Sequence, residues 1–253
     1  MSTNAPTPGA TAPTVGNKRA RANYKGERGN MRLARRTLPT GDVQHYEGER
    51  GSERLVRLVL TSGVVTHFEG EAGGERLVRI AFPGGEEHLY GGEPGKEHKE
   101  TVVFSDGEEH FYEGERGSER MVKVALVDGT VQHYEGERGS ERLVRIGDAD
   151  GLRHFYEGER GSERLVRIQD ADGLRHFYEG ESGSERLVKL ITPSGAVCYF
   201  EGERGSERRV ASPAKYILRD ALLKLEELHD AGHCNENALN ELSMCLKKMH
   251  EAL

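Results

Sequence analysis

Two short runs of mixed apolar and polar residues, VQHYEGE at 131–137 and ERLVRI at 141–146, are separated only by Arg-Gly-Ser. Each run has the length of a β-strand, and Gly139 can take the positive φ that a tight turn needs. The pair therefore predicts a β-hairpin. A helix does not suit the pattern, because a glycine-marked turn recurs before two or three helical turns could close. Asp-Gly, Ser-Gly and similar pairs follow each second run and predict a turn into the next hairpin. Period-two alternation then assigns faces. Arg142, Val144 and Ile146 are expected on one face, and Glu141, Leu143 and Arg145 on the other. On the first strand, Gln132, Tyr134 and Gly136 oppose His133, Glu135 and Glu137. Tyr134 is expected to pack near Val144 and Ile146, giving a narrow apolar ribbon beside a charged, solvated face.

The same segment recurs along the chain. Tyr24, Tyr46, Phe68, Tyr90, Tyr112, Tyr134, Tyr156, Tyr178 and Phe200 stand 22 residues apart, and glycines two and five residues after each aromatic keep the same beat. Self-similarity at this period is the signature of a stacked repeat array. The expected fold is mainly β: an elongated array of about nine 22-residue hairpins in a single twisted sheet, with a C-terminal helical hairpin. The expected divisions are an N-terminal arm over 1–20, the array over 21–211 and the helical hairpin over 212–253. In the tail, Ser212 suits a helix cap, Pro213 a first turn and Gly232 a stop. Leu222 and Leu225 fall on the apolar stripe of the first helix, and Leu239, Leu242, Leu246 and Met249 on that of the second. These six form the expected partner face; covering the last sheet edge is the alternative use of the same stripe.

The YEGE segment after a DG turn resembles the MORN (membrane occupation and recognition nexus) repeat. The matching residues are Tyr46, Gly48 and Gly51, then Tyr112, Gly114 and Gly117, and Tyr134, Gly136 and Gly139. Tyr156, Gly158 and Gly161 match again, as do Tyr178, Gly180 and Gly183. The likeness runs from about Tyr24 to Val210 and departs in the second strand, where SERLVRI replaces a glycine-rich half. The resemblance implies stacked hairpins in one curved sheet and a scaffold or assembly role, sometimes at membranes, with no chemistry in the repeats.

Composition narrows the function classes. The 253 residues carry a formal charge of -7, 33 Gly, no Trp and 31% charged residues, which suits a fold whose units need only their neighbours more than it suits a thick core. The negative balance argues against nucleic acid, although Lys18 to Arg36 is a basic segment that could meet an anionic membrane surface. Cys198, Cys234 and Cys245 are too few and too scattered for a disulfide framework. A cytoplasmic or other intracellular setting is expected, with an organelle transit role for the N-terminal arm kept as an alternative. Histidines fall in two rows, His45, His67 and His133 directly before the aromatic, and His88, His110, His154 and His176 two before it, with Cys198 in their place in the ninth repeat. Equivalent residues in neighbouring repeats stand about 9–10 Å apart, too far for shared zinc ligation. Ser140, His154 and Asp150 supply the residue types of a triad, yet nothing in the pattern gathers them around a cleft. No catalytic residue, cofactor or metal is expected. The reading is a non-enzymatic scaffold for protein partners. A repeat lectin or other ligand-binding protein and a membrane-associated organiser are the alternatives, and oligomerisation through the tail is a further expectation. The fourth repeat stands apart, with Gly91, Pro94, His98, Lys99 and Glu100 at positions where others carry Glu, Arg, Arg, Leu and Val. Its return strand is expected to be weak.

Overall fold

The structure, a computed structural model, describes residues 19–210 and 214–230 together with Leu242, Met244 and Leu246. Contacts divide the chain into two units, Met1–Met121 and Val122–Leu253. The first unit begins with β1 (Arg21–Lys25), β2 (Arg32–Thr37), β3 (Val43–Glu47), β4 (Arg54–Val59) and β5 (Val65–Glu69). It continues with β6 (Arg76–Ala81), β7 (Glu87–Gly91), β8 (His98–Val103) and β9 (Glu109–Glu113). The division falls within β10 (Arg120–Ala125). The second unit holds β11 (Val131–Glu135), β12 (Arg142–Gly147), β13 (Arg153–Glu157), β14 (Arg164–Gln169) and β15 (Arg175–Glu179). β16 (Arg186–Ile191), β17 (Val197–Glu201), β18 (Arg208–Arg209) and α1 (Ala214–Asp230) complete it. In each unit, strands adjacent in the chain pair antiparallel and join the hairpins into one sheet. The protein is thus a mainly β array of hairpin repeats followed by a helix. Leu242, Met244 and Leu246 are helical. The rest of the expected second helix, with Leu239 and Met249, and the arm before residue 19 lie outside the described residues.

Two kinds of turn alternate. Inside a hairpin, the Ser52 N–H donates to the Glu49 carbonyl at 3.1 Å, and Gly51 sits at φ 90° behind an Arg50 of negative φ, the signature of a type II turn. Between hairpins, Gly63 N–H donates to the Leu60 carbonyl at 2.9 Å, and Leu60 N–H to the Val64 carbonyl at 2.9 Å. With Gly63 at φ 88°, this is a three-residue loop that closes on a left-handed glycine. Both turns are encoded locally, so every repeat has the same length.

The faces differ from those that strict alternation predicts. Tyr134 pairs with Leu143 but His133 pairs with Arg145, so Val144 is an extra residue on β12, a β-bulge. The same shift recurs between His45 and Tyr46, where Val56 is the extra residue. Beyond the bulge the alternation is inverted. Leu143 and Ile146 therefore lie on the face of Tyr134 and Gln132, while Arg142 and Arg145 lie on the opposite face with His133 and Glu135. The expected sharing of a face by Leu143 and Arg145, and by Arg142 and Ile146, is corrected by this one-residue slip.

Pairing is also uneven along the strands. A hairpin such as β3–β4 has five paired residues on each strand, whereas β4 and β5 have three. Successive hairpins therefore separate towards their type II turns. Val102, Val124, Val188, Tyr199 and Leu222 are the buried hydrophobic side chains among the described residues. With so thin a core, cohesion must come from contacts between neighbouring repeats.

Candidate functional site

Where successive hairpins separate, the GERGSER segment links them. The Leu33 amide has no strand partner on that side, and it donates instead to Glu53 Oε1 at 3.0 Å; the other carboxylate oxygen accepts the Gly51 N–H at 2.8 Å. One repeat further, Leu55 donates to Glu75 at 3.0 Å, and in the second unit Leu165 donates to Glu185 at 3.1 Å. The Leu33 amide, then Glu53's own and that of Gly51, hold the Glu53 carboxyl below its ordinary range. Arginines bridge the other way. Arg54 Nη1 donates to the Gly70 carbonyl of the next repeat at 2.8 Å, and Arg50 Nη1 to the Gly29 carbonyl of the previous one at 2.8 Å. Ser182, which stands where most other repeats have Arg, donates to the Glu163 carbonyl at 2.8 Å and keeps a link. These residues are joints between repeats, not simply a solvated charged face. The signal was present in the sequence: Glu53, Glu75, Glu97, Glu119, Glu141, Glu163, Glu185 and Glu207 keep one register position even through the divergent fourth repeat.

The glycines predicted from the beat serve distinct purposes. A Cβ on Gly48 would stand 2.6 Å from the Ser52 carbonyl oxygen, and one on Gly136 or Gly158 2.9 Å from that of Ser140 or Ser162. Gly114 and Gly180 are in the same position, with φ of 115° and 123°. Gly51, Gly117, Gly139, Gly161 and Gly183 face open space and are required only by φ. The Tyr46 hydroxyl donates to Gln44 at 3.0 Å on the aromatic face, and Tyr134 does the same to Gln132. Tyr112 lies under the Lys99 ammonium at 5.3 Å. Burial, then a carboxylate of the next repeat, raises the Tyr156 and Tyr178 phenols.

The opposite face carries a ladder of cations and rings at paired positions. In the first unit it reads Arg35, His45, Arg57, His67, Arg79 across β2 to β6. Burial, then Arg57, lowers the His45 pKa. Burial, then Arg79, does the same at His67. In the second unit aromatic rings alternate with the cations, and Arg167 stacks on Phe155 at 3.8 Å and Lys189 on Phe177 at 4.7 Å. Beside this ladder stand ion pairs within each hairpin, such as Arg142 with Glu135 at 3.2 Å and Arg164 with Glu157 at 3.2 Å. The fourth repeat lacks both partners of that pair. Gly91 leaves room for the Glu100 carboxylate, which lies where a Cβ would be and is 3.7 Å from His98. Its return strand, β8, is nevertheless fully paired with β7. Gly91, His98 and Glu100 therefore meet at one place in the fold.

α1 lies on the ladder face of the last repeats. The Tyr216 ring stacks on Tyr199 at 5.3 Å, and its hydroxyl donates to Glu201 at 3.1 Å. Asp220 accepts from Lys189 at 2.6 Å and from the Tyr199 hydroxyl at 3.1 Å. Arg219 pairs with Glu179. The helix thus crosses from β17 over β16 towards β15. Val188 is left 2% exposed and Leu222 8% exposed. Burial, then the Asp220 charge, pushes the Tyr199 phenol up to about 12. Of the expected partner face, Leu222 is buried, Leu225 and Leu246 are half-buried, and Leu242 is exposed.

Around the second and third repeats no described residue covers the same face. A groove of about 550 Å³ is lined by Glu47, Val56, Arg57, His67 and Glu69, flanked by Lys25, Arg32 and Arg54. No cluster of three or more His, Cys, Asp or Glu among the described residues is arranged to hold a metal. No helix among them is long and apolar enough to cross a membrane. Ser140, His154 and Asp150 are not brought together by any hydrogen bond of the described residues: Ser140 Oγ donates to the Glu137 carbonyl at 3.2 Å.

No protein-family model matches the chain, and no curated protein matches it. Among solved structures, the crystal structure of TcdB2-TccC3-TEV is similar at 10% identity and a TM-score of 0.18, covering 71% of this chain and 15% of that one. The crystal structure of TcdB2-TccC3 gives 10% identity and a TM-score of 0.17, covering 70% and 16%. That of TcdB2-TccC3 without its hypervariable C-terminal region gives 9% and 0.17, covering 68% and 13%. This chain therefore spans a small fraction of each of those chains.

Proposed function

We propose that the protein is a non-enzymatic scaffold that binds protein partners along the ladder face of its hairpin repeats. The supporting observation is α1 itself. It is seated on that face through Tyr216, Arg219 and Asp220, by contacts to side chains that recur with the repeat. A face that takes one helix by side-chain complementarity is suited to others, and repetition multiplies modest contacts. The architecture of stacked short hairpins is also what a MORN-like reading of Tyr46, Gly48 and Gly51 entails, and that kinship belongs to the same proposal. The test is quantitative partner recovery with the full chain as bait. Charge reversal of ladder residues should release a stoichiometric protein partner, while reversals on the aromatic face should not. Retention of every partner by the ladder variants, or catalytic turnover by the purified chain, would refute the reading.

A further inference from the structure

The open groove of the first unit repeats, position for position, the seat that α1 occupies in the second. α1 touches Glu179, Lys189, Tyr199 and Glu201, and Val188 next to Lys189 is buried. Counting back six repeats of 22 residues, these positions are Glu47, Arg57, His67, Glu69 and Val56. All five line the groove. What differs is occupancy. Lys189 has a carboxylate, Asp220, at 2.6 Å, and Arg79, at the same register position, is paired with Glu87. Arg57 forms no ion pair with a described carboxylate. Among the described residues its side chain meets the His45 ring, at 3.3 Å, and stands opposite His67. Val188 is covered, whereas Val56 is only half-buried.

We propose that this groove is a docking site for an amphipathic helix of a partner protein that presents one carboxylate to Arg57. The helix would carry the pattern that α1 displays at Tyr216, Arg219, Asp220 and Leu222: a ring at i−4, a cation at i−1 and a leucine at i+2 around the acidic residue. The ring stacks on His67 and donates to Glu69, the cation meets Glu47, and the leucine covers Val56. Charge favours such a ligand, because Lys25, Arg32, Arg54 and Arg57 outnumber Glu47 and Glu69 around the groove. An excess of positive charge draws the acidic helix in and disfavours basic ones. Helix-in-groove recognition of this type needs only a few anchors.

The proposal rests on the scaffold reading but is tested apart from it. The probe is a fluorescent peptide spanning residues 212–231, titrated against the full chain. Saturable binding is expected. It should weaken at least tenfold in the chain variant Arg57→Glu and with the peptide variant Asp220→Arg, and return when the two are combined. Asp150→Arg, at an exposed turn away from the ladder, should leave it unchanged. Absence of saturable binding, indifference to Arg57→Glu, or equal sensitivity to Asp150→Arg would overturn the assignment. Self-association of the chain that Arg57→Glu abolishes would also overturn it, because the occupant would then be a second copy. A partner that remains bound to the Arg57→Glu chain would remove the groove and leave the scaffold reading standing.

Discussion

Gly48 and Gly51 differ in why they must be glycine, and alanine substitution separates the reasons. Both have positive φ, 111° and 90°. An L-residue in such a conformation costs about 1–2 kcal/mol. At Gly51 nothing else opposes a methyl group, since no heavy atom lies within 4 Å of the added Cβ. At Gly48 the Cβ would sit 2.6 Å from the Ser52 carbonyl oxygen. That oxygen belongs to the backbone of a closed turn, so relief requires the connection itself to open. Backbone strain of that kind costs about 1–3 kcal/mol. Both variants share the gain of about 0.4–1 kcal/mol from a stiffer unfolded chain. Gly48→Ala is therefore expected to destabilise its hairpin by about 1–3 kcal/mol more than Gly51→Ala. Because a repeat array can open locally, the readout is hydrogen exchange at the Ser52 and Leu55 amides in native buffer, supported by urea unfolding. Equal losses, or a larger loss at Gly51, would refute the steric reasoning.

Acid should loosen the joints between repeats. The carboxyls of Glu53, Glu75, Glu97, Glu163 and Glu207 are held below the ordinary 4.5 by amide hydrogen bonds, so their contribution is present above that value and lost as pH falls below it. The protection factor of the Leu33 amide, which corrects exchange for its intrinsic pH dependence, should fall through that window in the native chain and lose this pH dependence in Glu53→Gln; an unchanged profile would count against the joint. His45, His67 and His133 are lowered from 6.5, chiefly by burial, so their contribution begins to fall as pH drops below 6.5. Tyr199, raised to about 12, favours its protonated form: its contribution is complete below pH 10 and lost as pH rises through about 12. Difference titration of phenolate absorbance against Tyr199→Phe should find it there, and Asp220→Asn should lower the value; titration near 10 would show that α1 does not cover it. In the fourth repeat, Gly91→Glu alone should destabilise by forcing a second carboxylate against Glu100, while adding Glu100→Val and His98→Arg should restore stability. A mutant cycle should show coupling of about 0.5–3 kcal/mol, and strict additivity would mean the three residues diverged independently.

The beat, the hairpins and both turns were legible in the sequence because each is a local matter. Gly51 and Gly63 turn the chain where they stand, and the 22-residue spacing between aromatics needs no tertiary information. The first half of each hairpin, from Val131 to Glu135, also follows simple alternation. Other features depend on which residues oppose one another across strands. The bulge at Val144 arises from the pairing of β11 with β12, and its inversion of alternation moves Arg145 away from Leu143; no local propensity encodes that. Glu53 looked like one charge among many until the separation of neighbouring hairpins exposed the Leu33 amide to it. The tail pattern predicted the helix of α1, yet only packing decided that Asp220 would meet Lys189 and that Leu222 would be buried. Chain-local φ preferences and period set the repeat, whereas register and packing, which compare residues distant in sequence, set the face on which the protein can bind.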